Sequence, residues 1–117
     1  MPAKFVWFDL GAKDATAAGE FYAELLGWQV GPAEDAGPYR GWIVDGDQPW
    51  AGVVEAPGET AGHWMPYVQV DDLDAATEKA TALGATVVQE KSVGPAGTAV
   101  TIADPAGALL ALWVPRA

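Results

Sequence analysis

The sequence predicts an α+β fold: two βαβββ modules forming a cupped mixed sheet with the helices packed outside. Three observations carry this expectation. A strand-like apolar run, an aspartate and a helical pattern occur in that order twice. Both helical patterns end in Leu-Gly, and three short strand candidates follow each. Asp14 and Asp72 lie 58 positions apart, and Leu26-Gly27 and Leu83-Gly84 lie 57 apart, so two independent landmarks agree on the repeat. The chain has 117 residues, 50% of them apolar, which suits a single domain, 1–117, made of modules 1–58 and 59–117. Neither module could bury its sheet well alone.

Lys4 to Leu10 opens the first module as an apolar strand. Asp14 then has the side chain to accept hydrogen bonds from unpaired amides at a helix start. Ala18, Phe21, Tyr22, Leu25 and Leu26 recur at helical spacing and predict an apolar stripe facing the sheet. Gly27 stops the helix, because glycine takes the left-handed conformation of a helix end at little cost. The next strand candidates are Trp28 to Val30, Arg40 to Asp45 and Trp50 to Glu55, with turns at Gly31-Pro32 and Asp45-Gly46.

The second module repeats the order. Trp64 to Val70 is its first strand and Asp72 its helix cap. Leu73, Ala76, Ala80 and Leu83 form the apolar stripe, and Gly84 ends the helix. Thr86 to Gln89, Thr98 to Ala103 and Leu109 to Val114 complete the strands, with a turn at Asp104-Pro105. Gly94-Pro95-Ala96-Gly97 lacks the Lys-Ser or Lys-Thr of a phosphate loop, and reads as a hairpin loop able to act as a flap.

Composition limits function. Sixteen acidic residues against six basic give a net charge of −10, a field that repels phosphate backbones and anionic lipid, so no nucleic acid and no membrane is expected as partner. A neutral or cationic small molecule fits it. There is no cysteine, which excludes disulfides, thiolate metal sites and cysteine nucleophiles. No run of apolar residues reaches the roughly 18 that a membrane span needs. The N-terminus lacks the apolar core and cleavage site of a signal peptide, so the expected location is cytoplasmic. A Ser-His-Asp arrangement around the one histidine, His63, has no candidate serine.

In order along the chain, Trp7-Phe8-Asp9-Leu10, Asp14, Phe21-Tyr22, Leu26-Gly27-Trp28, Tyr67 to Asp72, Leu83-Gly84-Ala85 and the final DPAGALLALWV resemble the vicinal oxygen chelate superfamily of glyoxalases and bleomycin-resistance proteins. The resemblance covers almost the whole chain and speaks first to fold, since one fold hosts many chemistries. It implies a cup whose inner face, in family enzymes, holds a divalent metal on His, Gln or Glu from the first and last strands of each module. Carried over by position, those slots fall on Trp7, Met65, Ala111 and, by the repeat offset, Val53, with Glu55 as the alternative for the last. The first three cannot ligate, and a lone glutamate cannot hold a metal, so the expectation is no metal and no cofactor. A site of His63, Asp9 and Glu55 offers one imidazole where non-haem iron takes two, and His63 reads instead as an exposed residue at the start of a strand.

From those slots, strand alternation assigns Phe5, Trp7 and Asp9, then Met65, Tyr67 and Gln69, then Leu109, Ala111 and Trp113 to the inner face. Val6, Phe8 and Leu10, with Pro66, Val68 and Val70, point away from it. The expected ligand-binding set is Trp7, Asp9, Glu55, Met65, Tyr67, Gln69 and Trp113, an aromatic pocket with a few polar groups. Asp9 and Tyr67 are the candidates for acid–base work, because a carboxylate on an apolar face must be paired, hydrated or protonated. The same rings could alternatively fill the cup as core. The leading function is therefore metal-independent binding of a small aromatic or hydrophobic molecule, as bleomycin-type resistance proteins bind a drug. A glyoxalase-like lyase, isomerase or dioxygenase relative is the alternative, as is an interaction module with a filled cup. Single-domain relatives usually pair, and Trp28, Trp42 and Trp50, outside the assigned inner face, point the same way, so a homodimer is expected.

Overall fold

A computed structural model of the chain describes residues 3–34, 36–55, 62–94 and 96–116. The expected module boundary between residues 58 and 59, and Pro95 of the expected hairpin loop, fall outside them. The described strands and helices run β1 (Phe5–Ala12), α1 (Ala15–Leu26), β2 (Gln29–Pro32), β3 (Tyr39–Asp45), β4 (Gln48–Glu55), β5 (His63–Gln69), α2 (Leu73–Ala82), β6 (Thr86–Val93), β7 (Gly97–Ala103) and β8 (Leu109–Pro115). This is βαβββ twice, the α+β class. The chain divides into two compact units, one spanning Trp7–Met65 and the other running from Pro66 onward together with the chain's first residues through Val6.

In the first unit the strand order is β2-β3-β4-β1. The β1 and β4 strands run parallel, while β3 is antiparallel to both β2 and β4. Asp14 caps α1, its carboxylate accepting from Ala17 N at 3.0 Å, and Gly27 closes the helix at φ 72°. Such a cap contributes about 1 kcal/mol. Ala12, Ala15, Ile43, Ala51 and Val53 form the buried core, with Phe8, Ala18, Trp28 and Trp50 packed against it.

The apolar stripe expected on α1 is displaced. Phe21, Leu25 and Leu26 are at least half exposed, at 57%, 62% and 50%. The face turned inward carries Ala15 and Gly19, both buried, with Ala18 and Tyr22 partly buried. These positions have helical spacing too. Small side chains win because they let the helix approach its sheet: a Cβ at Gly19 would sit 3.6 Å from the Val30 side chain.

In the second unit the order is β5-β8-β7-β6, with β5 and β8 parallel and β7 antiparallel to β8 and β6. Asp72 caps α2 through Ala75 N at 3.0 Å. Leu73, Val100, Ile102 and Leu112 form the core under α2, joined by Val70, Ala76 and Ala80. Leu83, expected in the apolar stripe, is 71% exposed because it is already the C-cap, beyond the last regular turn. The Asp104-Pro105 turn forms as expected, the Asp104 carboxylate accepting from Ala106 N and Ala108 N. Among the described residues no helix is long and apolar enough to cross a membrane.

Candidate functional site

Strand register builds the site in the first unit. Asp9 on β1 lies beside Gly52 on β4, and Gly52 lies beside Trp42 on β3, so the three form one cross-strand row. Their side chains point away from α1, because the neighbours Leu10, Val53 and Ile43 fill the helix side. Trp7, two residues before Asp9, shares this face. Its indole Nε1 donates to Asp9 Oδ1 at 2.8 Å. The Tyr39 hydroxyl donates to Oδ2 at 2.9 Å. Asp9 is thus a carboxylate only 7% exposed, with both oxygens held by donors from its own unit, as burial of a charged group requires.

Three rings surround the carboxylate. Trp7 and Trp42 meet edge to face, with centroids 5.9 Å apart and planes at 69°. Tyr39 lies against Trp42 at 4.5 Å and 32°. The Tyr39 ring also rests on Gly52: a Cβ there would overlap its ring carbons and lie 3.0 Å from Asp9 Oδ1. Glycine at position 52 is therefore what lets the phenol reach the carboxylate.

Sequence alternation missed Tyr39, Trp42 and Gly52. Tyr39 sits three residues before Trp42, and simple alternation would put the two on opposite faces. The register slips between Tyr39 and Gly41, and this bulge at Arg40 restores Tyr39 to the face of Trp42. Trp42, assigned outside the inner face, packs on Trp7 instead. No sequence signal marks the bulge; a Tyr-Arg-Gly run beside a strand start is its only trace.

Glu55 is not brought to this cluster. In the parallel register Asp9 faces Gly52 and Ala12 faces Glu55, which puts position 55 in step with the helix-side residues. Its carboxylate lies 4.0 Å from Arg40 Nε, both side chains about half exposed. Val53, the offset-derived metal slot, is 1% exposed in the helix-side core. The offset was thus one residue out of phase, and the β4 residues sharing Asp9's face, Gly52 and Val54, have nothing to ligate with. His63 is the exposed first residue of β5. Among the described residues no group of three or more His, Cys, Asp or Glu could hold a metal ion.

The second unit presents a face of its own. Tyr67 pairs with Ala111 and Gln69 with Trp113 across β5 and β8, and Ala111 pairs with Thr101 on β7. Tyr67 and Trp113 are partly buried, Gln69 exposed and Ala111 fully buried. The Trp113 indole lies so close over Gly97 that a Cβ there would overlap it. Met65, on β5 in step with Tyr67, is partly buried.

Trp28 and Trp50 also find partners within the first unit, on the helix side. Tyr22 stacks on Trp28 at 5.2 Å, Trp50 meets Trp28 edge-on at 4.9 Å, and Trp64 Nε1 donates to the Tyr22 hydroxyl at 3.2 Å. A shallow cleft of about 410 Å³ opens beside this cluster, between the end of β1, α1 and Gly62.

Comparison with known proteins agrees with this architecture. An anthracycline biosynthesis protein, DnrV, of Streptomyces peucetius is 33% identical over 96% of this chain and 47% of its own length. A putative glyoxylase, CFP32, of Mycobacterium bovis is 34% identical over 92% of this chain and 44% of its own. The chain therefore spans less than half the length of these relatives. Among solved structures, a hypothetical protein from Bacillus halodurans superposes with a TM-score of 0.71 at 12% identity, covering 100% of this chain and 97% of that one. Methylmalonyl-CoA epimerase from Mycobacterium tuberculosis gives 0.61 at 20%, covering 98% and 88%. At those identities the likeness is one of fold. The glyoxalase-like domain family matches residues 5–113, and with the repeated βαβββ order this chain belongs to that family, within the vicinal oxygen chelate superfamily.

Proposed function

We propose that the domain binds a small aromatic or hydrophobic molecule, without a metal, against the ring-lined face of its first module. The observation that carries this is the Trp7–Asp9 hydrogen bond. At the position where the superfamily implies a metal ligand stands an indole, which is a donor only and gives its one N–H to a carboxylate. Met65, Ala111 and Val53 at the other slots supply no better donor. What the face does offer is partly exposed ring surface with one polar centre, the usual makeup of a small-molecule site. The relative named for anthracycline biosynthesis supports a planar aromatic ligand, since anthracyclines are fused-ring compounds suited to stacking on indole and phenol.

Titrating planar aromatic compounds while following tryptophan fluorescence tests the proposal, with elemental analysis of protein purified without chelators alongside. The expected result is quenching by at least one compound and no stoichiometric transition metal. A broad panel that leaves the fluorescence unchanged, or one equivalent of zinc, nickel, iron or manganese per chain, overturns it.

The proposal includes a homodimer. Trp28, Trp42 and Trp50 are packed within the first unit and do not call for a partner. Phe21 and Leu25 on α1 do, because two large apolar side chains one turn apart on an exposed helix face gain from being covered. Two chains at −10 each repel, so the contact is expected to be apolar at its centre and to tighten with salt. Light scattering at low micromolar protein is expected to give twice the monomer mass, and Leu25→Glu to halve it. A monomer at both low and high salt removes this part of the proposal.

A further inference from the structure

We propose that the cleft between the end of β1 and α1 is a second ligand site, for an uncharged single-ring aromatic molecule bearing a carbonyl oxygen. Trp7 and Trp42 do not line it, and the inference does not depend on the binding proposal above.

The lining sets the body and the charge of the ligand. Leu10 and Ala12, both buried, and Ala18 supply apolar surface, and Phe21 and Tyr22 supply rings. Phe21 is exposed, and a phenyl ring bordering an apolar cleft gains from an apolar occupant. The volume of about 410 Å³ is near the small end for ligand pockets, which suits one ring. Lys13 and Asp14, both exposed, bring one charge of each sign to the lining. They favour neither a cation nor an anion, and the chain's net charge of −10 disfavours the anion further.

Tyr22 sets the polar group. Its hydroxyl oxygen accepts from Trp64 Nε1 at 3.2 Å, and its own proton has no acceptor among the described residues. A phenol that accepts one hydrogen bond is polarised toward giving another. What the hydroxyl offers a ligand is therefore donation, and a carbonyl oxygen is its complement. The ring is also set in advance. Trp28 stacks on it with centroids 5.2 Å apart, and Phe21 and Trp64 meet it edge to face at 5.0 and 5.5 Å. Tyr22 thus has little freedom left to lose on binding.

The test uses acetophenone and α-methylstyrene, two flat probes of nearly one shape in which a carbonyl oxygen is exchanged for a methylene. The indole N–H signals in an NMR spectrum of ¹⁵N-labelled protein give both location and affinity, with Trp64→Phe used to assign the Trp64 signal. Acetophenone is expected to shift the Trp64 signal. Tyr22→Phe, checked for fold by circular dichroism, is expected to weaken acetophenone about fivefold and α-methylstyrene less than twofold. Equal effects on the two probes overturn the inference, because the hydroxyl then does not select the carbonyl. A shift at the Trp7 signal alone overturns it too, and leaves the binding proposal standing. A Trp64 signal that moves with protein concentration and not with either probe means that a second copy fills the cleft, and the inference falls. If Tyr22→Phe does not fold, the infrared carbonyl band of acetophenone bound to the wild-type protein decides. A band lowered from its position in hydrocarbon solvent supports donation by Tyr22, and an unlowered band overturns it.

Discussion

Ile43→Ala is expected to destabilise the protein by about 2–5 kcal/mol, toward the upper end of that range. Ile43 is 1% exposed, and with Val53 it is the largest fully buried side chain among the described residues. Its buried neighbours in the core are Ala12, Ala15, Ala51 and Val53. Three of these are alanines, whose short side chains cannot swing into the space that the lost atoms leave. The cavity therefore persists, and its cost adds to the lost transfer free energy. Against a total stability of about 5–15 kcal/mol for such domains, this is a large fraction. Urea unfolding followed by circular dichroism checks it. A loss below about 1 kcal/mol would mean that Ile43 does not sit in an enclosed core. Because Ile43 points toward α1, the Trp7–Asp9–Tyr39 contacts should persist in whatever folded protein remains.

Gly52→Ala is the complementary case, a single added methyl aimed at the other face. The new Cβ overlaps the Tyr39 ring and crowds Asp9 Oδ1. The ring cannot slide aside cheaply, since its hydroxyl is bound to Asp9 and its face lies against Trp42. Overpacking of this kind costs about 1–3 kcal/mol. The restriction of the unfolded chain that alanine brings returns at most about 1 kcal/mol. The expected net loss is about 1–2 kcal/mol, accompanied by a changed near-ultraviolet circular dichroism spectrum as the Tyr39–Trp42 contact is lost. Ligand affinity should fall by more than stability alone would explain, because the substitution strikes the proposed site and not the core. Wild-type stability together with an unchanged aromatic spectrum would show that the phenol does not rest on position 52.

What the sequence determined by itself is the order of elements. Asp14 and Asp72 as caps, Gly27 in the left-handed conformation and the Asp104 turn are local events, settled within three or four residues of chain, and local chemistry is what a sequence displays directly. The faces of β1 followed from alternation for the same reason, and this placed Trp7 beside Asp9 correctly. Three things were decided only by tertiary structure. The rotation of α1 was one, because two apolar stripes compete on that helix and the closeness of helix and sheet chooses the one with Ala15 and Gly19. The phase of β4 against β1 was another, since a one-residue slip in register moves every side chain to the opposite face, taking Val53 and Glu55 out of the site and bringing Gly52 in. The bulge at Arg40 was the last: it delivers the Tyr39 hydroxyl to a carboxylate 30 positions away in sequence. Part of the candidate site, Trp7 and Asp9, was therefore legible along one strand. The rest, Tyr39, Trp42 and Gly52, depends on how strands pair, and pairing is fixed by packing between segments that no local pattern relates.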